Sequence, residues 1–223
     1  MKNDTLDYLQ QNLAFWGKLK PAEQQDLSAN VMWKKYQAGQ ILYSASNECV
    51  GVLLIKSGKL RTYIMSEDGR QITLYRVSEG EVCILSASCI LQNITFEVFV
   101  DAVCETEALI ISASHFSKLI EHNVHVENFS LKITADMFSE VMWTMEQILF
   151  MSFDKRLAIF LLDETSKSGS HRLAFTHEQI AKYMGSAREV VSRMLKYFEK
   201  EGLVRLSRGA VDVINKEKLK DLI

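Results

Sequence analysis

The chain contains no apolar run approaching the roughly 20 residues that a membrane-spanning helix needs, and its first twenty residues lack the basic start and apolar stretch of an export signal. Both absences make the cytoplasm the expected location. Cysteine is sparse: Cys49, Cys83, Cys89 and Cys104 are the four, none in a CxxC pair. A chain of 223 residues does not need staples, so reduced thiols are expected. A metal or thiol-redox role for Cys83, Cys89 and Cys104 stands beside the plainer reading, in which they are small buried hydrophobes. No Pro/Gly-rich linker, internal repeat or low-complexity tract divides the sequence. There is no Ser/His/Asp set, HExxH or phosphate-cradling loop in the N-terminal part, which argues against an enzyme; no metal site and no cofactor is expected.

What is present is the composition of a globular protein, 48% hydrophobic and 24% charged, at a length that suits two modest domains. The net charge of -2 conceals an asymmetry. From Asp154 to the end there are 14 Lys+Arg against 10 Asp+Glu, whereas residues 1–153 hold 12 against 18. A basic C-terminal segment behind an acidic N-terminal one fits a polyanionic partner for the tail alone.

Leu6, Leu9, Leu13 and Phe15 fall near helical spacing, and Pro21 can open a second helical turn. From Val31 to Ile111 short β-branched and aromatic runs are punctuated by glycines, the texture of an all-β sandwich or roll. Val52–Ile55, Ser57-Gly58 and Leu60–Met65 read as one hairpin, and Asp68-Gly69 marks a stronger one. A short helix is expected over His115–His122. Beyond it Phe129, Ile133, Met137, Val141, Met145 and Leu149 recur at i, i+4. That stripe is either a core face or a dimer seam, since a helix of about 25 residues, roughly 37 Å long, overruns a small domain unless a second helix lies along it. Ser152-Phe153-Asp154 is the expected hinge, with Ser152 or Asp154 capping a helix that ends near Ser168-Gly169.

Residues 176–203, THEQIAKYMGSAREVVSRMLKYFEKEGL, carry the most information. Thr176 with Gln179 fits a capping box, Gly185 a turn, and Ser186 with Glu189 a second capping box. Two short helices meeting at a glycine form a helix-turn-helix. Val190, Val191, Met194, Leu195 and Phe198 face inward on the second, which leaves Arg188, Glu189, Ser192, Arg193 and Lys196 outside; arginine can pair with guanine O6 and N7, and glutamate can accept from cytosine N4. Val204–Leu206, a Ser207-Arg208-Gly209 turn and Val211–Ile214 then read as a wing, with Lys200, Arg205 and Arg208 as candidate phosphate contacts.

Over residues 176–214, and in the order of its parts over nearly the whole chain, the sequence resembles the CRP/FNR family of bacterial transcription regulators, with SAREVVSR the closest match. The resemblance implies an α+β fold: a β-roll sensor domain, jelly-roll-like, over 1–122, a dimerisation helix over 123–151 and a winged helix-turn-helix over 152–223. It places Arg188, Glu189 and Arg193 on the family's base-contacting positions and Ser192 on a further contact; Thr176, Ser186, Lys196 and Arg208 complete the expected DNA surface. It implies a homodimer on a two-fold symmetric duplex with TGTGA-like or TTGA-like halves, RNA polymerase as a further partner of an activator, and no membrane. The competing reading is a β-roll ligand or protein-interaction module without sequence-specific DNA binding.

The sensor part departs from the family's cyclic-nucleotide branch. Leu85 and Ser86 stand where a Gly-Glu pair should meet the ribose, and Phe96 and Glu97 where an arginine and a small hydroxyl residue should meet the phosphate. A carboxylate there repels a cyclic phosphate, so neither cAMP nor cGMP is expected to bind. No cysteine precedes Cys49, which removes the N-terminal ligands of the oxygen-sensing branch's iron-sulfur cluster. The expected effector is an unidentified small molecule in a pocket lined by Cys83, Leu85, Ser86, Phe96, Glu97, Met137 and Phe138.

Overall fold

A computed structural model of the chain describes residues 2–44, 50–84 and 97–223. These divide into two compact units, one of residues 1–64 with 74–141 and the other of residues 65–73 with 142–223.

The first unit opens with helix α1 (Lys2–Asn12), a single 3-10 turn (Trp16–Lys18) and helix α2 (Pro21–Ala29). Pro21 sits in the first turn of α2, as its fixed φ favours, and the Lys20 amide donates to Glu23 Oε2 at 2.7 Å. Among the described residues eight strands follow: β1 (Val31–Tyr36), β2 (Ile41–Tyr43), β3 (Val52–Ser57), β4 (Lys59–Met65), β5 (Gln71–Ser78), β6 (Val82–Cys83), β7 (Phe99–Ala102) and β8 (Thr106–Ile111). They form two four-stranded sheets, ordered β1-β8-β3-β6 and β2-β7-β4-β5. This is the expected roll. Strand β3 shows why it is stable: Val52 to Ile55 are all buried, and their alternation sends Val52 and Leu54 into a cluster with Leu9, Leu13 and Phe116. Leu53 and Ile55 point the other way, into the roll interior with Tyr36, Leu60 and Val100.

One expectation fails here. β3 and β4 do not pair as a hairpin but lie in different sheets, and the chain crosses between them at Gly58. Gly58 has φ +90°, and a Cβ there would meet the Glu105 carbonyl oxygen at 2.5 Å, so only glycine fits the crossing. The Asp68-Gly69 turn does join sheet neighbours, β4 and β5. Helix α3 (Ala113–His122) then leads into α4 (Val124–Phe150), one unbroken helix of 27 residues.

The second unit contains helix α5 (Phe153–Ser168), strand β9 (Arg172–Leu173), helices α6 (His177–Met184) and α7 (Arg188–Lys200), strands β10 (Val204–Ser207) and β11 (Ala210–Val213) and helix α8 (Lys216–Lys220). Its sheet runs β10-β11-β9, so the predicted wing hairpin gains a third strand that the sequence reading missed. Ser152 stands at the N-cap of α5 as expected, yet its side chain makes no cap bond; its hydroxyl lies close to the Asp154 carboxylate and, first among several causes, holds that group below its ordinary pKa. Gly169 ends α5 in the left-handed conformation. The core is built on Leu157, Leu161, Ile180, Val191, Leu195 and Phe198, with Glu164 and Thr165 of α5 buried beside it. Among the described residues no helix is long and apolar enough to cross a membrane.

Candidate nucleic-acid interface

The reading surface is assembled by local rules. Thr176 is the N-cap of α6: its hydroxyl accepts from the Gln179 amide at 3.2 Å, while Gln179 Oε1 accepts from the Thr176 amide at 2.8 Å. This is the predicted capping box, satisfying two otherwise orphaned amides. Gly185 ends α6 at φ 59°, ψ 42°. The second predicted capping box does not form. α7 starts at Arg188 with Ala187 as its N-cap and no side-chain cap bond. Ser186 belongs instead to the end of α6, where its amide donates to the Ala181 carbonyl at 3.0 Å. Glu189 is thereby released from capping and stands exposed in the first turn of α7.

α7 divides into two faces. Val191, Leu195 and Phe198 are fully buried, with Val190 and Met194 half-buried beside them. Arg188, Glu189, Arg193 and Lys196 are exposed. Ser192 is half-buried, because its hydroxyl meets His177 Nδ1 at 2.9 Å. The imidazole of His177 is pushed below its ordinary pKa by partial burial first, then by the charges of Arg188 and Lys196. The sequence reading passed over His177. Its only signal was a histidine directly after the cap, fifteen residues from the serine that the fold brings to it.

The wing is locked to this helix. The Leu206 amide of β10 donates to Glu199 Oε1 at 2.8 Å, and the Leu203 amide to the Phe198 carbonyl at 2.9 Å. Lys200, Arg205 and Arg208 are exposed, and Gly209 makes the tight turn at φ 73°. The end of α6 is held by side chains of the same unit: Arg70 Nε donates to the Gly185 carbonyl at 2.9 Å, Thr73 Oγ1 to Lys182 O at 3.2 Å and Arg156 Nη1 to Met184 O at 3.3 Å. Helix C-termini leave such carbonyls unsatisfied, and guanidinium donors suit the partial negative charge there. Arg70, Thr73 and Arg156 were not foreseen, since nothing in their spacing announces a distant cap.

The expected effector residues separate. Cys83 is buried inside the roll, and Met137 is half-buried against both of the unit's clusters. Leu85, Ser86 and Phe96 lie outside the described residues, as do Cys49 and Cys89. Glu97 is exposed, and Phe138 is 65% exposed, one residue and therefore about 100° around the helix from Met137; neither lines the interior. The interior has another polar feature. The hydroxyls of Tyr36, Thr62 and Tyr75 are buried and have no hydrogen-bond partner among the described residues. The Thr62 hydroxyl approaches that of Tyr75 and tempers its pKa, without reaching hydrogen-bond geometry. Burial, and next the nearby Cys83 thiol, push Tyr36 up to about 12 and hold Tyr75 well above its ordinary value. Cys104 is exposed, so Cys83 and Cys104 do not gather, and among the described residues no His/Cys/Asp/Glu group is arranged to hold a metal.

The α4 stripe also separates. Phe129, Ile133, Met137 and Val141 are half-buried against the chain's own core, whereas Met145 and Leu149 are exposed. A second row, Leu131, Phe138, Met142, Met145 and Leu149, is exposed with spacings of seven, four, three and four residues.

Comparison with known proteins agrees with this architecture. Residues 33–123 match the family model described as a cyclic nucleotide-binding domain, and residues 155–222 that described as a Crp-like helix-turn-helix domain. The structure of a transcriptional regulator assigned to the CRP/FNR family, from Eubacterium rectale, is similar over 97% of this chain and 98% of its own, with 43% identity and a TM-score of 0.90. The fumarate and nitrate reduction regulatory protein of Yersinia pestis is 26% identical over 202 residues, covering 85% of this chain and 77% of that protein. FixK2 from Bradyrhizobium japonicum, at 19% identity and a TM-score of 0.70, shares the fold over 86% of this chain and 96% of its own. With a capped helix-turn-helix, a wing tied to its second helix and a two-sheet roll, the chain belongs to the CRP/FNR family of transcription regulators.

Proposed function

We propose that the protein is a cytoplasmic homodimer that reads a two-fold symmetric duplex and is gated by a small effector in the roll. The observation that carries the DNA half is the division of α7: a fully buried underside at Val191, Leu195 and Phe198 beneath exposed Arg188, Glu189, Arg193 and Lys196. Arg188, Glu189 and Arg193 would meet base edges, while Thr176, Ser186, Lys196 and Arg208 meet the backbone. Half-sites one helical turn apart are the geometric corollary of a dimer. For the dimer, the support is the row Leu131, Phe138, Met142, Met145 and Leu149, whose 3.5-residue period is that of a coiled-coil seam. This shifts the seam away from Phe129, Ile133, Met137 and Val141, which the chain's own core occupies.

The effector reading draws on the three unpartnered hydroxyls inside an otherwise apolar cluster that Met137 and Val141 of α4 also touch. Departures from the ribose and phosphate contacts at Leu85, Ser86, Phe96 and Glu97 disfavour a cyclic nucleotide. An activator of this kind would also engage RNA polymerase.

Selection of binders from a random duplex library tests the reading: it should yield an inverted repeat, and Arg188→Ala or Arg193→Ala should weaken binding and relax specificity at one base pair per half-site. Recovery of no common sequence would favour a roll module that binds ligand or protein without reading DNA. Sedimentation of Leu149→Asp, a monomer on this reading against a wild-type dimer, tests the seam.

A further inference from the structure

Arg188, Ser192 and Lys196 lie four residues apart and so share one stripe of α7. His177, at the first position of α6, is hydrogen-bonded through Nδ1 to the middle member, Ser192, at 2.9 Å. The stripe is thus a cluster in which a neutral ring sits beside two cations. The charges acting on the imidazole both come from α7, Arg188 and Lys196. On its own helix the adjacent Glu178 is paired with Lys182 at 3.6 Å. Ser192 fixes the ring but cannot compensate a charge on it. An anion brought to the stripe from outside can do so.

We propose that His177 is a backbone contact of the DNA surface whose imidazole takes up a proton as a phosphate docks against the Arg188–Ser192–Lys196 stripe. This rests on the DNA-reading function proposed above. In the free protein the depressed pKa keeps the ring neutral at pH 7 and above. A phosphate placed beside it reverses the local field: it offsets Arg188 and Lys196 and favours the imidazolium. Binding then consumes a proton. The sign follows from linkage: affinity is flat at high pH, rises as pH falls through the raised pKa of the complex, and levels off below the free-protein pKa, which lies under the ordinary 6.5. Ser192 acquires a role as well, orienting the ring so that Nε2 is the outward nitrogen.

The test is duplex affinity by fluorescence anisotropy at about pH 8 and about pH 6, at constant low salt, for wild type and His177→Gln, which keeps a hydrogen-bonding partner for Ser192 and cannot protonate. Wild type should bind about three- to tenfold more tightly at the lower pH, and the variant should lose most of that gain while still binding at the higher pH. A phosphate contact is indifferent to sequence, so the difference in slope should appear on an inverted repeat of TTGA half-sites and on its scrambled version alike. Sequence preference between those duplexes reports separately on the function proposed above. Equal slopes in wild type and variant would overturn the proposal. Should the variant bind neither duplex, the NMR titration of the His177 imidazole decides: its pKa must rise when duplex is added, and an unchanged or lower value overturns the proposal.

Discussion

The roll and the reader place their polar chemistry on opposite sides of their cores. In the reader the core cluster is made of apolar side chains, with Glu164 and Thr165 of α5 buried beside it, and the informative groups, Arg188, Glu189, Arg193 and Lys196, stand on the surface above it. In the roll the informative groups are inside: Tyr36, Thr62 and Tyr75, whose hydroxyls have no partner among the described residues, and Arg61, buried with Asp101 at its side. The contrast fits the partners proposed above, DNA for the reader and a small molecule for the roll. A macromolecule is met on an exposed face, where long cationic side chains cost little to maintain. A small molecule must be met in an interior, where each polar group carries a desolvation penalty until something satisfies it.

The comparison can be broken by making the same change on both sides. Arg61→Ala should cost about 2–4 kcal/mol of unfolding free energy in urea, because it leaves the half-buried Asp101 carboxylate without its partner and removes the guanidinium stacked 4.2 Å from the Tyr63 ring. A loss under about 1 kcal/mol would mean that the roll tolerates internal charge as a surface does. Arg188→Ala should leave the urea midpoint unchanged and cost about 1–3 kcal/mol in binding of the selected operator. Thr176→Ala removes one capping acceptor, and about 1 kcal/mol of stability should go with it, read as a lower thermal midpoint. The smallest effect has the opposite sign. Thr62→Val, which keeps the shape and deletes an unpartnered hydroxyl, should stabilise the ligand-free protein by up to about 1 kcal/mol; destabilisation would reveal a partner for that hydroxyl.

Much of this is legible in the sequence, and what is legible there is local. The capping box at Thr176, the turn at Gly185 and the buried face of α7 each depend on residues within one or two helical turns, so the sequence pattern and the structure coincide. The misreadings came where one residue had two local uses or where partners were remote. Ser186 followed by Glu189 has the spacing of a cap, but its amide had already been taken by the end of α6. Gly58 lies between two strand-like runs that look like a hairpin, yet their pairing is decided by β8 and β7, some fifty residues further on. On α4 two apolar rows run side by side with almost the same period, and only packing against the roll shows which one the chain uses for itself. His177, Arg70 and Arg156 act through partners that no periodicity links to them.

The uncovered row on α4 has a quantitative consequence for the cell. If two chains close over Leu131, Phe138, Met142, Met145 and Leu149 before either can grip a symmetric site, then below the dissociation constant of the pair the occupied fraction of an operator grows with the square of chain abundance. A modest change in synthesis or turnover would then throw the regulated promoter more sharply than any single-chain reader could.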